Sequence, residues 1–471
     1  MFSIRQFALF ALLFIWLPAG AEVRSSDFTE PWQVYAHELL RDSVAFRSVR
    51  GEKQVLPFTE FLAEEFISHG FPVEDVRVLP MDSAGEPSAS LVVRYRGTSK
   101  KRPILFVAHM DVVSAAESDW GRDPFTLSED GGFYFGRGVL DDKYGTTVLT
   151  TTFLRLMSEG FKPERDLIIA FTGDEETEQW TIKSLVEDHL ELIDAEIAFN
   201  ADAGIGRLDQ QFRPVAMFLQ FAQKTYMTFE LTTSNPGGHS SKPPPENAIA
   251  DLAEAITAIH EYKFPVRSST ESRAYFAAMG DLLGNEMGDA MRRFAENPED
   301  KKASDYLSAD PEYVGNLRTT CVPTMLRGGH AENALPESAT VTVNCRVYPG
   351  VGLAYVETTL KQVVNNPEIA FASLWDPLPS PLSPVRDDVL AMVESAAQRQ
   401  HPDVEVIPYI APYGTDGIYL RSAGIPTYGL YGVYMRAEDE YKHASNEKLP
   451  IKGFFDSLEF WYGMIKDASR L

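Results

Sequence analysis

The sequence predicts an α/β domain interrupted by a smaller α+β domain. Three observations carry this. Continuous apolar runs such as Leu167-Ile-Ile-Ala-Phe171 suit strands buried on both sheet faces, and they alternate with helical spacing up to Ile197-Ala-Phe199. Near Phe221 the pattern changes, and Thr225 to Thr233 alternates like a half-buried strand. Beyond Pro377 to Pro384 the α/β pattern resumes.

Taken in order, Glu30 to Gly70 reads as two helices. One presents Trp32, Tyr35, Leu39, Leu40 and Val44 on a single face; the other presents Phe58, Phe61, Leu62, Phe66 and Ile67. Leu91 to Tyr95 and Ile104 to Val107 read as strands. Thr146 to Glu159 is a helix with Leu149, Phe153, Leu154 and Met157 turned inward. In the smaller domain, Asn235-Pro-Gly-Gly and Pro243-Pro-Pro are turn material and Asn247 to Ile259 is a helix. Ser268 to Ala309 is polar and helical and reads as an insertion. Strands at 317–326 and 339–348 flank a Gly-Gly region. If these two strands form a hairpin centred on Asn333, Cys321 and Cys345 face each other. They would then pair in an oxidising compartment; a one-residue slip would leave two buried thiols instead. A helix over 387–400 and strands near Val404 and Pro426 complete the chain.

Composition narrows the class. With 471 residues, 44% hydrophobic and 24% charged, this is ordinary globular material for two or three domains. Its 68 acidic against 43 basic residues give a net charge of −25, which repels nucleic acid and anionic membrane surfaces. Part of that acidity would offset bound divalent cations. Two cysteines exclude a disulfide-rich scaffold and a cysteine-built metal site. At the start, Arg5, the apolar run Phe7 to Leu17, Pro18 and Ala19-Gly-Ala21 have the layout of a signal peptide over residues 1–21. The expectation is therefore a periplasmic or secreted enzyme. The run is short for a bilayer span, so an uncleaved N-terminal anchor is the lesser alternative, and no later stretch is apolar enough to span.

Six segments carry candidate chemistry. His109-Met-Asp111 ends an apolar strand, where open α/β sheets place their sites. One ring nitrogen of His109 could take a metal while Asp111 orients the ring. Gly136-Arg-Gly-Val-Leu-Asp141-Asp142 offers adjacent carboxylates, for a cation or merely for capping the next helix. Gly173-Asp174-Glu175-Glu176 again ends a buried strand, where three acids in a row are costly unless paired or metal-bound. Asn200-Ala-Asp202, Tyr441-Lys-His443 and Gly237-Gly-His239 are the others. Each is weak alone. Together they give nitrogen and oxygen ligands without sulfur, which suits zinc, manganese or cobalt.

The ordered set VAHMD, GRGVLDDK, TGDEE, NADAG, GGHSS and KHASNEK resembles the zinc metallopeptidases that include aminoacylase, carnosinase and succinyl-diaminopimelate desuccinylase, most of all their carboxypeptidase S-like branch. That resemblance implies a mixed-sheet catalytic domain over 22–221 and 377–471. It also implies a ferredoxin-like lid or dimerisation domain over 222–376, with a helical insertion at about 268–310. It implies two Zn²⁺, with Co²⁺ or Mn²⁺ as substitutes. His109 and Asp202 would hold one ion, Glu176 and His443 the other, and Asp141 would bridge them. Glu175 would be the general base for cleaving an amide bond with metal-activated water, and His239 would stabilise the oxyanion. Asn333 and Arg346 would hold a small peptide or N-acyl amino acid, since Arg grips carboxylates bidentately. A homodimer is possible through the smaller domain. The chain departs from the resemblance at Ala203, where relatives often carry an acid. Two alternatives stand beside this reading. One is a non-catalytic binding protein on the same scaffold. The other is a non-haem iron oxygenase built on His109-x-Asp111, which would leave Glu175, Glu176 and Asp202 unexplained.

Overall fold

The computed structural model describes residues 23–374 and 377–471, so the signal-peptide segment lies outside the described residues. The all-apolar runs fall in the middle of a mixed ten-stranded sheet. Leu167–Thr172, Ile104–His109 and Ile197–Asn200 lie side by side and parallel, each buried along its full length. Helices cover both faces, so neither face of these strands needs polar residues. On one face, Phe106, Phe153, Phe199, Phe454 and Trp461 belong to the main core. On the other, Leu105, Val107, Ile168 and Ala170 pack with Ile182 and Leu185. The helix expected at 146–159 starts earlier, at Lys143–Ser158, because Asp142 accepts a hydrogen bond from Gly145 N and caps it.

Register sets the stage for chemistry. His109 pairs with Thr172 and Val107 with Asn200. The loops leaving these three strands therefore start from one edge, the carboxyl end of the parallel sheet.

The smaller sheet has four antiparallel strands, in the spatial order Thr320–Gly328, Ser338–Val347, Thr225–Ser234, Ala370–Ser373. Helices Ala248–Glu261 and Leu353–Val364 cover one face. Along the chain this is strand, helix, strand, strand, helix, strand, the ferredoxin-like arrangement. Period-two alternation explains its two faces. Met227, Phe229, Leu231, Val341, Val343 and Val347 enter the core, while Tyr226, Thr228, Asn344 and Arg346 lie on the opposite face. Cys321 and Cys345 are register partners and form a disulfide. The simple hairpin symmetry about Asn333 holds only as far as Pro323; the register shifts between Pro323 and Met325. Proline has no N–H to give the ladder, so a break there is expected.

One element sits where chain order does not suggest. The insertion forms helices Thr270–Leu283, Glu286–Glu296 and Lys301–Ser308. Their apolar faces, with Phe276, Met279, Met291, Phe294 and Leu307, pack on Ala216, Phe218 and Ile407 of the large sheet. A helical face finds the nearest uncovered apolar strands, and those belong to the larger domain.

Candidate active site

Five loops converge at the carboxyl edge. His109 Nε2 lies 3.0 Å from Asp141 Oδ1 and 4.0 Å from Asp202 Oδ1. The other Asp141 oxygen lies 3.2 Å from His443 Nε2, which is 2.8 Å from Glu176 Oε1. Asp141 thus presents one oxygen to each histidine, the geometry a bridging ligand needs. Two groups, His109 with Asp141 and Glu176, and His109 with Glu175 and Asp202, each bring their ligand atoms within 4.8 Å of one another. The donor set is imidazole and carboxylate, with His109, Asp141 and Asp202 buried and His443 exposed at the mouth, and it fits borderline divalent cations.

Asp111 does more than face the histidine. Its carboxylate accepts from Glu175 N and Glu176 N, both at 3.0 Å, and its backbone carbonyl takes the Nδ1 of His109 at 3.0 Å. One residue therefore fixes the ring and the acidic loop together. Asp142 is the helix cap, and it also accepts from His109 N at 3.3 Å. Neither of the two close groups of ligand atoms includes it.

The electrostatics are those of crowded acids. Burial, opposed by His109 and reinforced by Asp202, Asp416 and Glu176, holds the Glu175 carboxyl well above its usual range. Burial likewise raises Glu176 and Asp202. Asp141 goes the other way in spite of its burial, because Lys442 and both histidines hold it ionised. Contacts with Asp141 and Glu176 push His443 up to about 10. Burial would lower His109, but its bonds to Asp111 and Asp141 keep it well above its ordinary value.

Three further features escaped the sequence reading. Lys442 Nζ donates to Asp202 Oδ1 at 3.0 Å and lies 3.7 Å from Asp141 Oδ2. Glu447, fully buried, accepts from Gly138 N, Leu140 N and Asp141 N and pairs with Arg137 at 2.5 Å. Arg137 also donates to the carbonyls of His443 and Ala444, so Arg137 and Glu447 clamp the two ligand loops together. His443 and Asn446 take left-handed backbone angles, φ +61° and +57°, within this clamped turn. Asp416 accepts from Thr172 Oγ1 at 2.5 Å, and burial pushes its carboxyl up to about 8. The signals were an arginine between two glycines and an acid four residues after the histidine; both read as ordinary surface charge without a partner in view.

The smaller-domain candidates stand apart. His239 is exposed, with Nδ1 2.9 Å from Ser241 Oγ, and pairs with Ala334 in a two-stranded ribbon. Ser240 N donates to the Asn333 carbonyl, so the ribbon brings these two candidates close. Among the described residues, no hydrogen bond or ion pair joins His239, Asn333 or Arg346 to the cluster. The Arg346 guanidinium lies over the Tyr226 ring at 4.6 Å.

Residues 105–467 match the sequence pattern of Peptidase family M20/M25/M40. The human N-fatty-acyl-amino acid synthase/hydrolase PM20D1 is 28% identical, over 94% of this chain and 89% of its own. Probable carboxypeptidase S-like 2 of Dictyostelium discoideum is 27% identical, over 81% of this chain and 75% of its own. Among solved structures, the M20 family metallo-carboxypeptidase Sso-CP2 from Sulfolobus solfataricus superposes with a TM-score of 0.69 at 18% identity, covering 93% of this chain and 99% of that one. The di-peptidase Dug1p of Saccharomyces cerevisiae gives 0.67 at 16%, covering 93% and 96%. At such identities these structures speak for the fold alone.

Proposed function

The chain belongs to peptidase family M20/M25/M40 and is a hydrolase acting on amide bonds, and from that premise we propose that it is an exported di-zinc enzyme cleaving peptides or N-acyl amino acids. The family assignment speaks against the oxygenase, and the presence of Glu175 together with every expected ligand speaks against a non-catalytic protein on the same scaffold. The observation that carries the reading is the pairing of His109 and His443 on opposite oxygens of Asp141, with Glu175 close to His109 and Asp202. His109 and Asp202 would hold one cation, Glu176 and His443 the second, and Asp141 both. Bound there, the cations would polarise the scissile carbonyl and make water acidic near neutral pH.

The protein's own groups then do the rest. Glu175 takes the proton of the attacking water and passes it to the leaving amine. Asp111 anchors the backbone of Glu175 and so fixes where the base sits. His239, from the smaller domain, stabilises the oxyanion, an effect typically worth about 2.7–4 kcal/mol per donor. Asn333 and Arg346 hold the substrate. Export is supported by the pattern of residues 1–21 and by the Cys321–Cys345 disulfide, a bond that persists in oxidising compartments. No helix among the described residues is long and apolar enough to cross a membrane. Dimerisation through the smaller domain is supported by its edge strand, which exposes Val322, Met325 and Leu326.

The test is a hydrolysis screen of zinc-loaded protein against N-acyl amino acids and dipeptides, with and without a chelator. Turnover should vanish with chelation and fall about 10²–10⁴-fold in Glu175→Gln, which keeps its metal. Turnover that survives both treatments overturns the reading.

A further inference from the structure

Between strand Leu167–Thr172 and helix Trp180–Glu187 the chain makes one tight loop, and Asp174 closes it. The Asp174 carbonyl accepts from Gln179 N at 2.8 Å, and its carboxylate accepts from Trp180 N and Thr181 N, both at 2.9 Å. The loop therefore returns on itself and sets Gln179 beside Glu175. Gln179 Nε2 donates to Glu175 Oε1 at 3.2 Å. An ionised carboxylate only accepts, so it takes the N–H end of the amide. The backbone at Gln179 is left-handed, with φ +56° and ψ +30°. Glycine takes such angles freely, asparagine on occasion, and a long side chain seldom. Glycine would close the same turn with less strain, but it would leave Glu175 without the amide. Strain of this kind persists where the surroundings hold it, and it gathers at working sites. The other anchor of Glu175 is a backbone one. Asp111 accepts from Glu175 N and Glu176 N, both at 3.0 Å, which fixes the main chain and leaves the Glu175 carboxyl to turn about its own bonds. Among the described residues, the Gln179 amide is the one group that hydrogen-bonds that carboxyl.

We propose that Gln179 is a positioning residue for the hydrolysis: its amide holds one oxygen of Glu175 so that the other meets the attacking water. The inference rests on the reading that Glu175 is the general base of this cluster. Gln179 needs no contact with substrate or cation to act. It narrows the rotation of a carboxyl whose proton transfer depends on reach, and a misplacement of about 1 Å can cost as much as 10²-fold in rate. It adds nothing to substrate binding, so its signature is a loss in kcat with KM held.

The experiment uses full-length zinc-loaded protein and follows hydrolysis of N-acetylleucine, N-dodecanoylglycine and alanyl-leucine. Gln179→Met keeps the length of the side chain and loses the N–H. Its kcat should fall about tenfold or more, with KM within about twofold of the parent's. Gln179→Gly should lose as much kcat while its urea midpoint stays at or above the parent's, because glycine accepts the left-handed turn. Gln179→Asn keeps an amide and tolerates the angle but is one methylene short, so it should be slow as well. Bound zinc, by elemental analysis, should match the parent in all three. On the Glu175→Gln background, adding Gln179→Met should cost less than about twofold more, since the group it steers is gone. An unchanged kcat in Gln179→Met and Gln179→Gly overturns the proposal. So does a loss of kcat that comes with lost zinc or a lowered urea midpoint in both, or one that persists in full on the Glu175→Gln background. Turnover that depends on Glu175 but not on Gln179 sinks this proposal alone. Turnover indifferent to Glu175→Gln, or none with any of the three compounds, sinks the reading of the base from which it starts.

Discussion

The metal cluster and the domain junction are opposite electrostatic problems. The cluster crowds Asp141, Glu175, Glu176 and Asp202 around two histidines and Lys442. The junction buries Lys224, with the part-exposed Arg346 near it and, among the described residues, no acid within ion-pair distance. Each keeps an excess of one sign out of water, which folding alone would not favour. Cations brought from outside would relieve the first, whereas at the junction Lys224 can shed its proton instead. Removing charge should therefore cost function where the surplus is used and relieve the fold where it is merely stored.

The largest effect falls on the residue shared by both halves of the cluster. Asp141→Asn would leave one neutral amide between His109 and His443. Turnover should drop by three orders of magnitude or more, roughly the whole contribution expected of a metal-assisted site, and the bound zinc should fall below two per chain. Elemental analysis beside a kinetic assay checks this. A protein that kept both metals and near-normal turnover would remove Asp141 from the bridge.

Next comes the clamp beneath the cluster. Glu447→Ala would strip Arg137 of its partner and orphan three backbone N–H groups in a fully buried place. Breaking a buried pair by removing one member costs about 3–5 kcal/mol. Urea unfolding should register that loss. A cost below about 1 kcal/mol would mean the loops hold their shape without the clamp.

These two residues also mark what was legible in the sequence. Asp141 could be read because its motif is contiguous and the order of six such motifs along the chain is distinctive. The buried runs Leu167 to Phe171 and Ile104 to Ala108 gave the central strands, since no other element leaves so many apolar residues in a row. Glu447 and Lys442 could not be read that way. Their meaning lies in partners about 240–310 positions away, Arg137 and Asp202, and spacing carries no trace of such pairs. The insertion helices were legible as helices but not in their seating, because an apolar face specifies burial and not the surface that supplies it.

The junction predicts a pH effect. Folding moves the Lys224 pKa from its ordinary 10.5 down to about 7. Between those values the unfolded chain binds a proton that the folded one does not, so this residue makes stability rise with pH, by up to about 1.4 kcal/mol per unit. Lys224→Met should lose that slope. Urea titrations at pH 7.5, 8.5 and 9.5 without substrate should show the variant's advantage shrinking as pH rises. Parallel curves for the two proteins would mean that Lys224 keeps its proton in the fold.

The smallest effect should come from the cluster's own internal cation. Lys442 sits 3.0 Å from Asp202 and 3.7 Å from Asp141, so its ammonium already neutralises part of the charge that would attract a metal. At such distances, with the damping typical of protein sites, the interaction is on the order of 4 kcal/mol before solvation is counted. The ammonium's own desolvation offsets much of that. Lys442→Met should therefore tighten zinc by about tenfold, near 1.4 kcal/mol, measured by competition with a chromogenic chelator at fixed pH. Weaker binding in the variant would mean the opposite balance: Lys442 would then hold the Asp202 loop in place more than it competes for its charge. Because Lys442 Nζ also takes the Asp202 backbone carbonyl at 3.1 Å, that outcome has a visible cause, and the sign of one affinity change separates the two roles.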